Sequence, residues 1–282
     1  RDLHSFPTRR SSDLLGEDLS IGDLTTDILI PPDLTGKAVL VSREPGVLAG
    51  AEVGLAVFRR VDSELLTSAL LSDGAELETG ARIGTVEGRV ASILKAERTA
   101  VNFVQRLSGI ATETSKYVAA VDGSRARIVD TRKTTPGLRL LEKYAVRAGG
   151  GENHRQNLGD GILIKDNHIA ALADRGLSLG DVVREAVRKA PHAVTVEVEV
   201  EDLEQLGQAL EAGAEIVLLD NMDIELMIQA VALARGRALT EASGGITLDN
   251  VREVAATGVD IISVGALTHS ARALNISLDM VS

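Results

Sequence analysis

Residues 194–220 read VTVEVEVEDLEQLGQALEAGAEIVLLD, and this stretch decides the fold class. Val194–Val200 and Glu215–Asp220 are apolar runs of strand length. The segment Leu203–Ala212 between them is amphipathic with helical spacing, and Gly213 stands where a C-terminal cap is expected. A strand, a covering helix and a second strand in this order make the repeating unit of a parallel sheet. The stretch therefore predicts an α/β fold.

The same alternation runs from Arg125 to the end of the chain. It predicts further strands at 126–130, 161–165, 238–242 and 260–264, and further helices at 138–148, 179–189, 224–234 and 248–256, the last with Thr247 as a candidate cap. A barrel and a doubly wound sheet both fit this pattern. Many of the strands end in a charged or small polar residue, and such side chains converge on one point only if the strands close into a ring. This convergence favours a (β/α) barrel with residues 122–282.

The chain before the barrel has a different organisation. Residues 37–90 alternate short apolar stretches with turns around the helical segment Glu52–Leu71, which predicts a small α+β layer. Residues from Ser92 to about Val121 predict one or two helices, broken near Ser108-Gly109. Residues 1–14 are polar, lack a period and resemble a foreign or disordered leader. The expected domains are thus the leader 1–14, an N-terminal domain 15–121 and the barrel 122–282, with the last residues packing back on the N-terminal domain.

Composition excludes several classes of protein. Of the 282 residues, 44% are hydrophobic and 25% charged, which is ordinary globular usage, whereas only 2% are aromatic and Cys is absent. The lack of Cys rules out thiolate catalysis and Cys-ligated zinc, and the lack of rings disfavours base stacking. A net charge of -11 argues against nucleic-acid and anionic-membrane partners. We expect a soluble, cytoplasmic protein.

A basic segment interrupts this acidic chain. Residues 89–168 hold fourteen Lys or Arg and eight Asp or Glu, a net charge of +6, whereas the other 202 residues carry -17. Four of these cations follow or end predicted strands, where solvated helix faces do not explain them: Arg132, Lys133, Arg155 and Lys165. Clustered cations repel one another until an anion arrives, and guanidinium groups match carboxylates in shape. The segment therefore predicts a pocket for a small polyanion.

Three weaker signals lie outside this cluster. Arg98 shares a helix face with Asn102 and Gln105. A polar stripe of this kind is more often the solvent-exposed face of a helix than a binding site. Glu199 and Asp220 end neighbouring strands, where carboxylates hold Mg²⁺ or ribose hydroxyls, or else cap helices. The small-residue turns Ser243–Gly245 and Ser263–Ala266 follow the last two strands, where barrels often bind phosphate.

Several motifs together resemble quinolinate phosphoribosyltransferase, also called nicotinate-nucleotide pyrophosphorylase (carboxylating). The motifs are Asp130-Thr-Arg-Lys-Thr-Thr-Pro-Gly137, Asn153-His-Arg155, Ile164-Lys-Asp-Asn-His168, Arg43-Glu-Pro-Gly46 and Ser243-Gly-Gly245. The resemblance covers nearly the whole chain after the leader. It implies an N-terminal α/β sandwich, a C-terminal (β/α) barrel with fewer than eight regular units, and a homodimer. It also implies transfer of phosphoribosyl from phosphoribosyl pyrophosphate to quinolinate with decarboxylation, using Mg²⁺, in de novo NAD biosynthesis.

The resemblance also implies roles for single residues. The residues expected to bind quinolinate are Arg132, His154, Arg155 and Lys165, with Thr131 and Lys133 bordering both substrates and Arg98 entering from the partner subunit. Glu199 and Asp220 match the carboxylates at the metal and ribose hydroxyls, although Glu197 could take the place of Glu199. The residues expected at the 5′-phosphate are Ser243, Gly244, Gly245, Ser263, Gly265 and Ala266. The catalytic set is then Lys133, Lys165, Glu199 and Asp220.

One departure and two alternatives accompany this interpretation. Family members carry a further helical stretch before Glu17-Asp18, where this chain has its leader, so the packing of the N-terminal domain is in question. A nicotinate phosphoribosyltransferase or a molybdenum-associated paralogue would share the architecture, but a monocarboxylate needs fewer cations. A non-catalytic anion-binding barrel would have no use for Glu199, Asp220 and Lys133 together.

Overall fold

A computed structural model describes residues 15–281, so the expected leader at 1–14 lies outside the described residues. The chain divides into two compact units, which comprise residues 15–113, 148–150 and 271–281, and residues 114–147 and 151–270. The division falls inside the helix Val90–Ala120, whereas the expected boundary at 121–122 is the end of that helix. No helix among residues 15–281 combines the length and the apolar character needed to cross a bilayer.

The first unit is built on an antiparallel sheet. Its strands are β1 (Thr35–Ser42), β2 (Gly46–Val47), β3 (Leu66–Ala69), β4 (Glu76–Leu77), β5 (Arg82–Arg89) and β12 (Ile276–Val281). Four of them pair in the order β12-β1-β5-β3, and β2 pairs with β4. The helices are Leu24–Leu29, Ala51–Val61 and the first part of Val90–Ala120. The apolar faces of Ala51–Val61 and of the first part of Val90–Ala120 contribute to one hydrophobic core with the sheet, which includes Leu40, Leu55, Phe58, Ile83 and Ile93. The apolar side chains of Leu24–Leu29 are exposed instead.

The long helix Val90–Ala120 is continuous, so the break expected near Ser108-Gly109 is wrong. A Cβ at Gly109 would overlap the backbone carbonyl of Arg272. The glycine therefore permits a close approach of two backbone segments and does not end the helix.

The second unit carries the parallel sheet. Its strands are β6 (Arg127–Val129), β7 (Ile162–Ile164), β8 (Val196–Val200), β9 (Ile216–Asp220), β10 (Leu239–Ser243) and β11 (Ile261–Ser263), in the order β6-β11-β10-β9-β8-β7. The helices are Arg139–Ala148, Asp166–Ala173, Leu179–Lys189, Leu203–Glu211, Ile224–Ala234, Val251–Ala256 and Ala266–His269. Ser178, Asp202 and Asp223 cap three of these helices by accepting a backbone N–H three residues ahead. Every predicted strand is present.

Three helical details differ from the prediction. The helix Ala266–His269 follows the turn after β11, where no helix is predicted. The short helix Asp166–Ala173 is not predicted from the sequence, because it overlaps the motif Ile164–His168 and has little amphipathic pattern. The helix expected at 248–256 begins only at Val251, and Asn250, not Thr247, holds the N-cap position. The side chain of Asn250 instead accepts the backbone N–H of Thr247, which ties the preceding turn.

The parallel sheet curves strongly around its inner face. One cavity of about 220 Å³ is lined by residues from all six strands, which are Arg127, Ile162, Glu197, Ile216, Glu241 and Ile261 among others. In the described residues β6 and β7 are the ends of the sheet and do not pair with each other, and Val129 makes only an isolated parallel bridge to Glu152. The parallel α/β fold is confirmed, and full closure into a barrel stays a prediction.

Candidate active site

The carboxyl ends of the strands bring the predicted residues of the second unit to one edge. Ser243 of β10 is in register with Asp220 of β9, and Glu199 of β8 lies beside Leu218 of the same neighbour. Lys165 follows β7, which pairs with β8. Since these strands are parallel neighbours, their polar ends share one rim of the sheet.

Lys165 and Glu199 form an ion pair at this rim, in which the ammonium Nζ contacts Oε2. Lys165 is 44% exposed and Glu199 11% exposed, so the pair lies between the interior and solvent. The Lys165 backbone N–H also donates to His168 Nδ1, at 3.0 Å, and this bond fixes the start of the helix Asp166–Ala173. The lysine is thus held at a defined place with its ammonium still open to solvent.

Arg132 and Arg155 are close neighbours. Burial lowers the pKa of the Arg155 guanidinium, and the positive charge of Arg132 lowers it further. Arg155 donates from Nη1 to the carbonyl of Gly161, at 3.0 Å. The Nε–H of Arg132 is buried and has no acceptor among residues 15–281. Two adjacent guanidinium groups with an unused donor are unfavourable until an anion binds between them.

His154 precedes Arg155 in the chain, and its ring faces two buried glutamates. Its Nε2 is 3.2 Å from Glu197 Oε2 and 3.6 Å from Glu241 Oε2. Burial alone would lower the pKa of the imidazole, but the hydrogen bond to Glu197 and the charge of Glu241 outweigh burial and raise that pKa. The ring therefore faces carboxylates in the interior, and the prediction that His154 holds a substrate carboxylate stays a prediction.

Glu241 is the most deeply buried of the three groups, at 2% exposure. Burial raises the pKa of its carboxyl to about 7, with a further contribution from the charge of Glu197, against the opposing effects of His154 and Ser263. The Ser263 hydroxyl donates toward the Ala242 carbonyl, at 3.4 Å, and is itself buried. The side chain of Ser263 thus points inward, so only its backbone and the residues after it can serve the predicted phosphate loop.

A second buried ion pair anchors the segment that carries His154. Lys143 and Asp130 are 1% and 0% exposed, and the ammonium contacts Asp130 Oδ1. Burial raises the pKa of Asp130 and lowers that of Lys143, and their mutual attraction opposes both shifts. Asn153 donates to Asp130 Oδ2, at 2.6 Å, and the His154 backbone N–H donates to Oδ1, at 3.0 Å. This network holds the backbone immediately before Arg155.

The loops after β9 and β10 fit closely together. Asn221 has a positive φ of 52°, its backbone N–H donates to the Ser243 carbonyl at 2.9 Å, and its amide donates to Asp220 Oδ2 at 2.8 Å. Gly244 has φ 91°, and a Cβ there would overlap the Asn221 side chain. Only glycine suits this turn, which begins beside Asp220.

The loop after β6 is joined to the turn after β11. The Thr131 hydroxyl accepts the Lys133 backbone N–H, at 3.0 Å, and the Lys133 carbonyl accepts the Thr268 hydroxyl, at 2.7 Å. A Cβ at Gly265 would come within 3.2 Å of the Lys133 side chain. Thr131, Lys133 and Gly265 are therefore brought together. Arg98 is exposed and belongs to the first unit.

Family models match both parts of the chain. Residues 23–108 match the family model described as quinolinate phosphoribosyl transferase, N-terminal domain, and residues 110–279 match the C-terminal domain of the same family. The chain belongs to the quinolinate phosphoribosyltransferase family. The resemblance inferred from the motifs is thereby confirmed.

Relatives in this family match along nearly their whole length. The chain is 46% identical to the nicotinate-nucleotide pyrophosphorylase [carboxylating] of Mycobacterium leprae, over 94% of each chain. It is 44% identical to the probable enzyme of that name from Bacillus subtilis, over 94% of this chain and 90% of the relative. The solved structure of the Francisella tularensis nicotinate-nucleotide pyrophosphorylase superimposes with a TM-score of 0.93 at 40% identity, covering 100% of this chain and 98% of that one. Human nicotinic acid phosphoribosyltransferase, with a TM-score of 0.64 and 14% identity, shares the fold alone.

Sequence reasoning gave the buried groups of the candidate site little or no role: Glu197 was named only as a substitute for Glu199, and Glu241 and Lys143 received no role. Lys143 lies on a helix whose pattern is otherwise amphipathic, and nothing in its spacing distinguishes it from a solvated lysine. Glu197 alternates with valines in β8, and this alternation is a signal that it faces one side of the sheet. Glu241 lies between Thr240 and Ala242 in β10, where the pattern gives no such signal.

Proposed function

We propose that this chain transfers the phosphoribosyl group of phosphoribosyl pyrophosphate to the nitrogen of quinolinate and releases CO₂, which yields nicotinate mononucleotide and pyrophosphate for NAD biosynthesis. The observation that carries the proposal is the close pair of Arg132 and Arg155 with the buried, unused Nε–H of Arg132. A dicarboxylate supplies the acceptors that these donors lack, and each charged hydrogen bond contributes about 1.5–3 kcal/mol.

The quinolinate clamp consists, in this proposal, of Arg132, Arg155 and Lys165. Lys165 exchanges its carboxylate partner, Glu199, for a carboxylate of the substrate, which is possible because its ammonium is partly open to solvent. Thr131 and His154 border the same space. Arg98 is proposed to enter the clamp from the partner subunit, as the family resemblance implies.

Phosphoribosyl pyrophosphate is proposed to bind along the rim. Its 5′-phosphate would accept N–H groups from the glycine turns at Ser243–Gly245 and Ser263–Ala266, and Lys133 would face the pyrophosphate. Glu199 and Asp220 end adjacent strands and offer the carboxylate oxygens that Mg²⁺ prefers, so these residues fit the ion. When bound there, Mg²⁺ neutralises charge on the pyrophosphate leaving group.

The chemistry proposed for this chain is mainly positioning and fixed positive charge. Lys133 stabilises the pyrophosphate as it leaves C1 of the ribose, and the quinolinate nitrogen forms the new bond to that carbon. The ring nitrogen is then cationic, so the bond to the 2-carboxylate breaks with its electrons left on C2, CO₂ departs, and a proton takes its place. Arg132, Arg155 and Lys165 hold the diacid so that its nitrogen faces C1.

We further propose that the enzyme is a cytoplasmic homodimer. Leu24, Ile28 and Leu29 are 73%, 76% and 68% exposed on one short helix, and an exposed apolar group of this kind is typical of an interface. An Arg98→Ala protein mixed with an Arg132→Ala protein would test this proposal. If Arg98 serves the partner's site, the mixture recovers activity that neither variant has alone, and a mixture that stays inactive contradicts the shared site.

The function is tested by pyrophosphate release in a coupled assay with phosphoribosyl pyrophosphate, Mg²⁺ and either quinolinate or nicotinate. We expect turnover with quinolinate only, and a loss of at least about tenfold in kcat/KM for Arg132→Ala, since two charged hydrogen bonds are removed. Equal turnover of nicotinate would support the alternative base and refute the two-carboxylate clamp. Absence of pyrophosphate release with either base would point to a non-catalytic anion-binding protein.

A further inference from the structure

Glu197 and Glu241 form a buried acidic pair that the proposed reaction does not use. Their side chains are 7% and 2% exposed, and each leaves its Oε1 buried without a hydrogen-bond partner among the described residues. Their Oε2 atoms both lie next to His154 Nε2. Two carboxylates in a nearly dry interior are costly unless they hold a cationic or donating group in place.

A metal ion does not suit this cluster, although one histidine and two glutamates are a common ligand set. The backbone N–H of Arg155 donates to His154 Nδ1, at 2.7 Å, so the lone pair of Nδ1 is in use. The ring proton therefore resides on Nε2, and a protonated nitrogen cannot coordinate a metal. The same proton makes Nε2 a hydrogen-bond donor to Glu197.

His154 is thereby fixed on every side. Its ring donates to Glu197 and accepts from the Arg155 N–H, its backbone N–H donates to Asp130, and its carbonyl accepts Lys143 Nζ at 2.9 Å. The ring of His154 accepts a hydrogen bond from the backbone N–H of Arg155. The orientation of the ring therefore fixes the backbone of Arg155 and the direction in which its side chain starts.

Arg155 is also attracted directly by Glu197, whose negative charge raises the pKa of the guanidinium and so counteracts the lowering caused by burial and by Arg132. Its remaining described hydrogen bond is to the Gly161 carbonyl. Glu197 thus acts on Arg155 by two routes, through the His154 ring and through its own charge. Neither route requires Glu197 to touch a substrate.

We propose that Glu197, supported by Glu241, is a positioning residue that orients the His154–Arg155 segment so that Arg155 can bind a carboxylate of the diacid substrate. The inference rests on the proposed quinolinate clamp. It also separates Glu197 from Glu199, which lies two residues later on the same strand and pairs with Lys165 at the rim.

The first test compares Glu197→Gln with Thr240→Val in steady-state kinetics. Thr240 is a buried polar residue on β10, whose hydroxyl donates to Asp260, away from the acidic pair. For Glu197→Gln we expect KM for quinolinate to rise at least fivefold, with KM for phosphoribosyl pyrophosphate changed less than twofold. Thr240→Val should leave both KM values within twofold. If Glu197 had only a structural role, Glu197→Gln would lower the amount of folded enzyme and leave both KM values unchanged.

The second test is a double-mutant cycle with Arg155→Ala, which distinguishes this inference from the clamp itself. If Glu197 acts through Arg155, Glu197→Gln changes quinolinate KM less than twofold in the Arg155→Ala background. An Arg155→Ala protein with unchanged quinolinate KM would overturn the clamp. A raised KM in Arg155→Ala together with an unchanged KM in Glu197→Gln would overturn only the positioning role.

Glu197→Asp covers the case in which Glu197→Gln does not fold. It keeps the charge but withdraws it by one methylene, so we expect a smaller rise in quinolinate KM, about two- to fivefold, again without a change for phosphoribosyl pyrophosphate. Unchanged quinolinate KM in a folded Glu197→Asp protein, or equal rises for both substrates, would contradict the positioning role.

Discussion

Glu241→Gln should make the free energy of unfolding less dependent on pH. Burial and the charge of Glu197 raise the pKa of the Glu241 carboxyl from its ordinary value of 4.5 to about 7 in the folded chain. A raised folded-state pKa means that the stability associated with this group is fully present below about pH 4.5. It is lost as pH rises through 7, because a charge must then be kept in a dry site.

The magnitude follows from the size of the shift. At about 1.4 kcal/mol per pKa unit, the shift from 4.5 to about 7 corresponds to roughly 3 kcal/mol when both states are ionised. Between pH 5 and pH 8 the wild type should lose about 2–3 kcal/mol relative to Glu241→Gln, since part of the effect is already present at pH 5.

Tyrosine fluorescence makes the measurement specific to the relevant unit. The sequence has two tyrosines and no tryptophan, and Tyr117 and Tyr144 both belong to the second unit, which also contains Glu241. Urea unfolding followed at several pH values between 5 and 8 should show the two proteins converging at low pH and diverging at high pH. Thr240→Val on the same strand should run parallel to wild type. A difference between Glu241→Gln and wild type that stays constant with pH would refute the reasoning.

Three further substitutions test other parts of the structure. Lys143→Met leaves a carboxylate buried without its cation and should cost about 3–5 kcal/mol, read from the same tyrosine signal; a loss below about 1 kcal/mol would contradict a buried pair. Gly244→Ala places a Cβ against Asn221 at a positive φ, so KM for phosphoribosyl pyrophosphate should rise several-fold while quinolinate binding, measured by calorimetry, is retained. Gly109→Ala forces a Cβ onto the Arg272 carbonyl. We expect a loss of about 1–3 kcal/mol in the stability of the first unit, measured by thermal unfolding with circular dichroism. An unchanged melting temperature would show that the two backbones can separate.

The sequence predicted the strands of the second unit well because each is a short run between turns. In the first unit the helical segment expected at Glu52–Leu71 is wrong beyond Val61, since Leu66–Ala69 is strand β3. The pattern around 194–220 is present as β8, the helix Leu203–Glu211 and β9 with small changes at the ends. Glycine was less informative. At Gly213 it ends a helix as expected, whereas at Gly109 it lies inside one, since the same absence of a Cβ serves both a left-handed cap and a close packing contact. Local sequence does not distinguish these two uses.

The candidate site was predictable at its rim and less so beneath it. Lys165, Glu199 and Asp220 end strands, and strand ends of a parallel sheet meet at one edge whatever the details of packing. The orientation of His154 was not predictable, because it depends on hydrogen bonds from a different strand and from the next residue. A motif identifies which side chains are present, and the contacts of each side chain decide which of them remain available to a substrate.

Glu197 and Glu199 illustrate this distinction in a single strand. The two-residue period of β8 places both carboxylates on the same face of the sheet. For this reason the sequence did not decide which of the two is the metal and ribose carboxylate. They differ in depth. Glu199 reaches the rim and pairs with a lysine that is 44% exposed, so its partner can be exchanged for a ligand. Glu197 lies one period deeper at 7% exposure, where losing its partner would leave a charge in a dry interior, so it is suited to holding a protein group in place and not to binding and releasing a substrate.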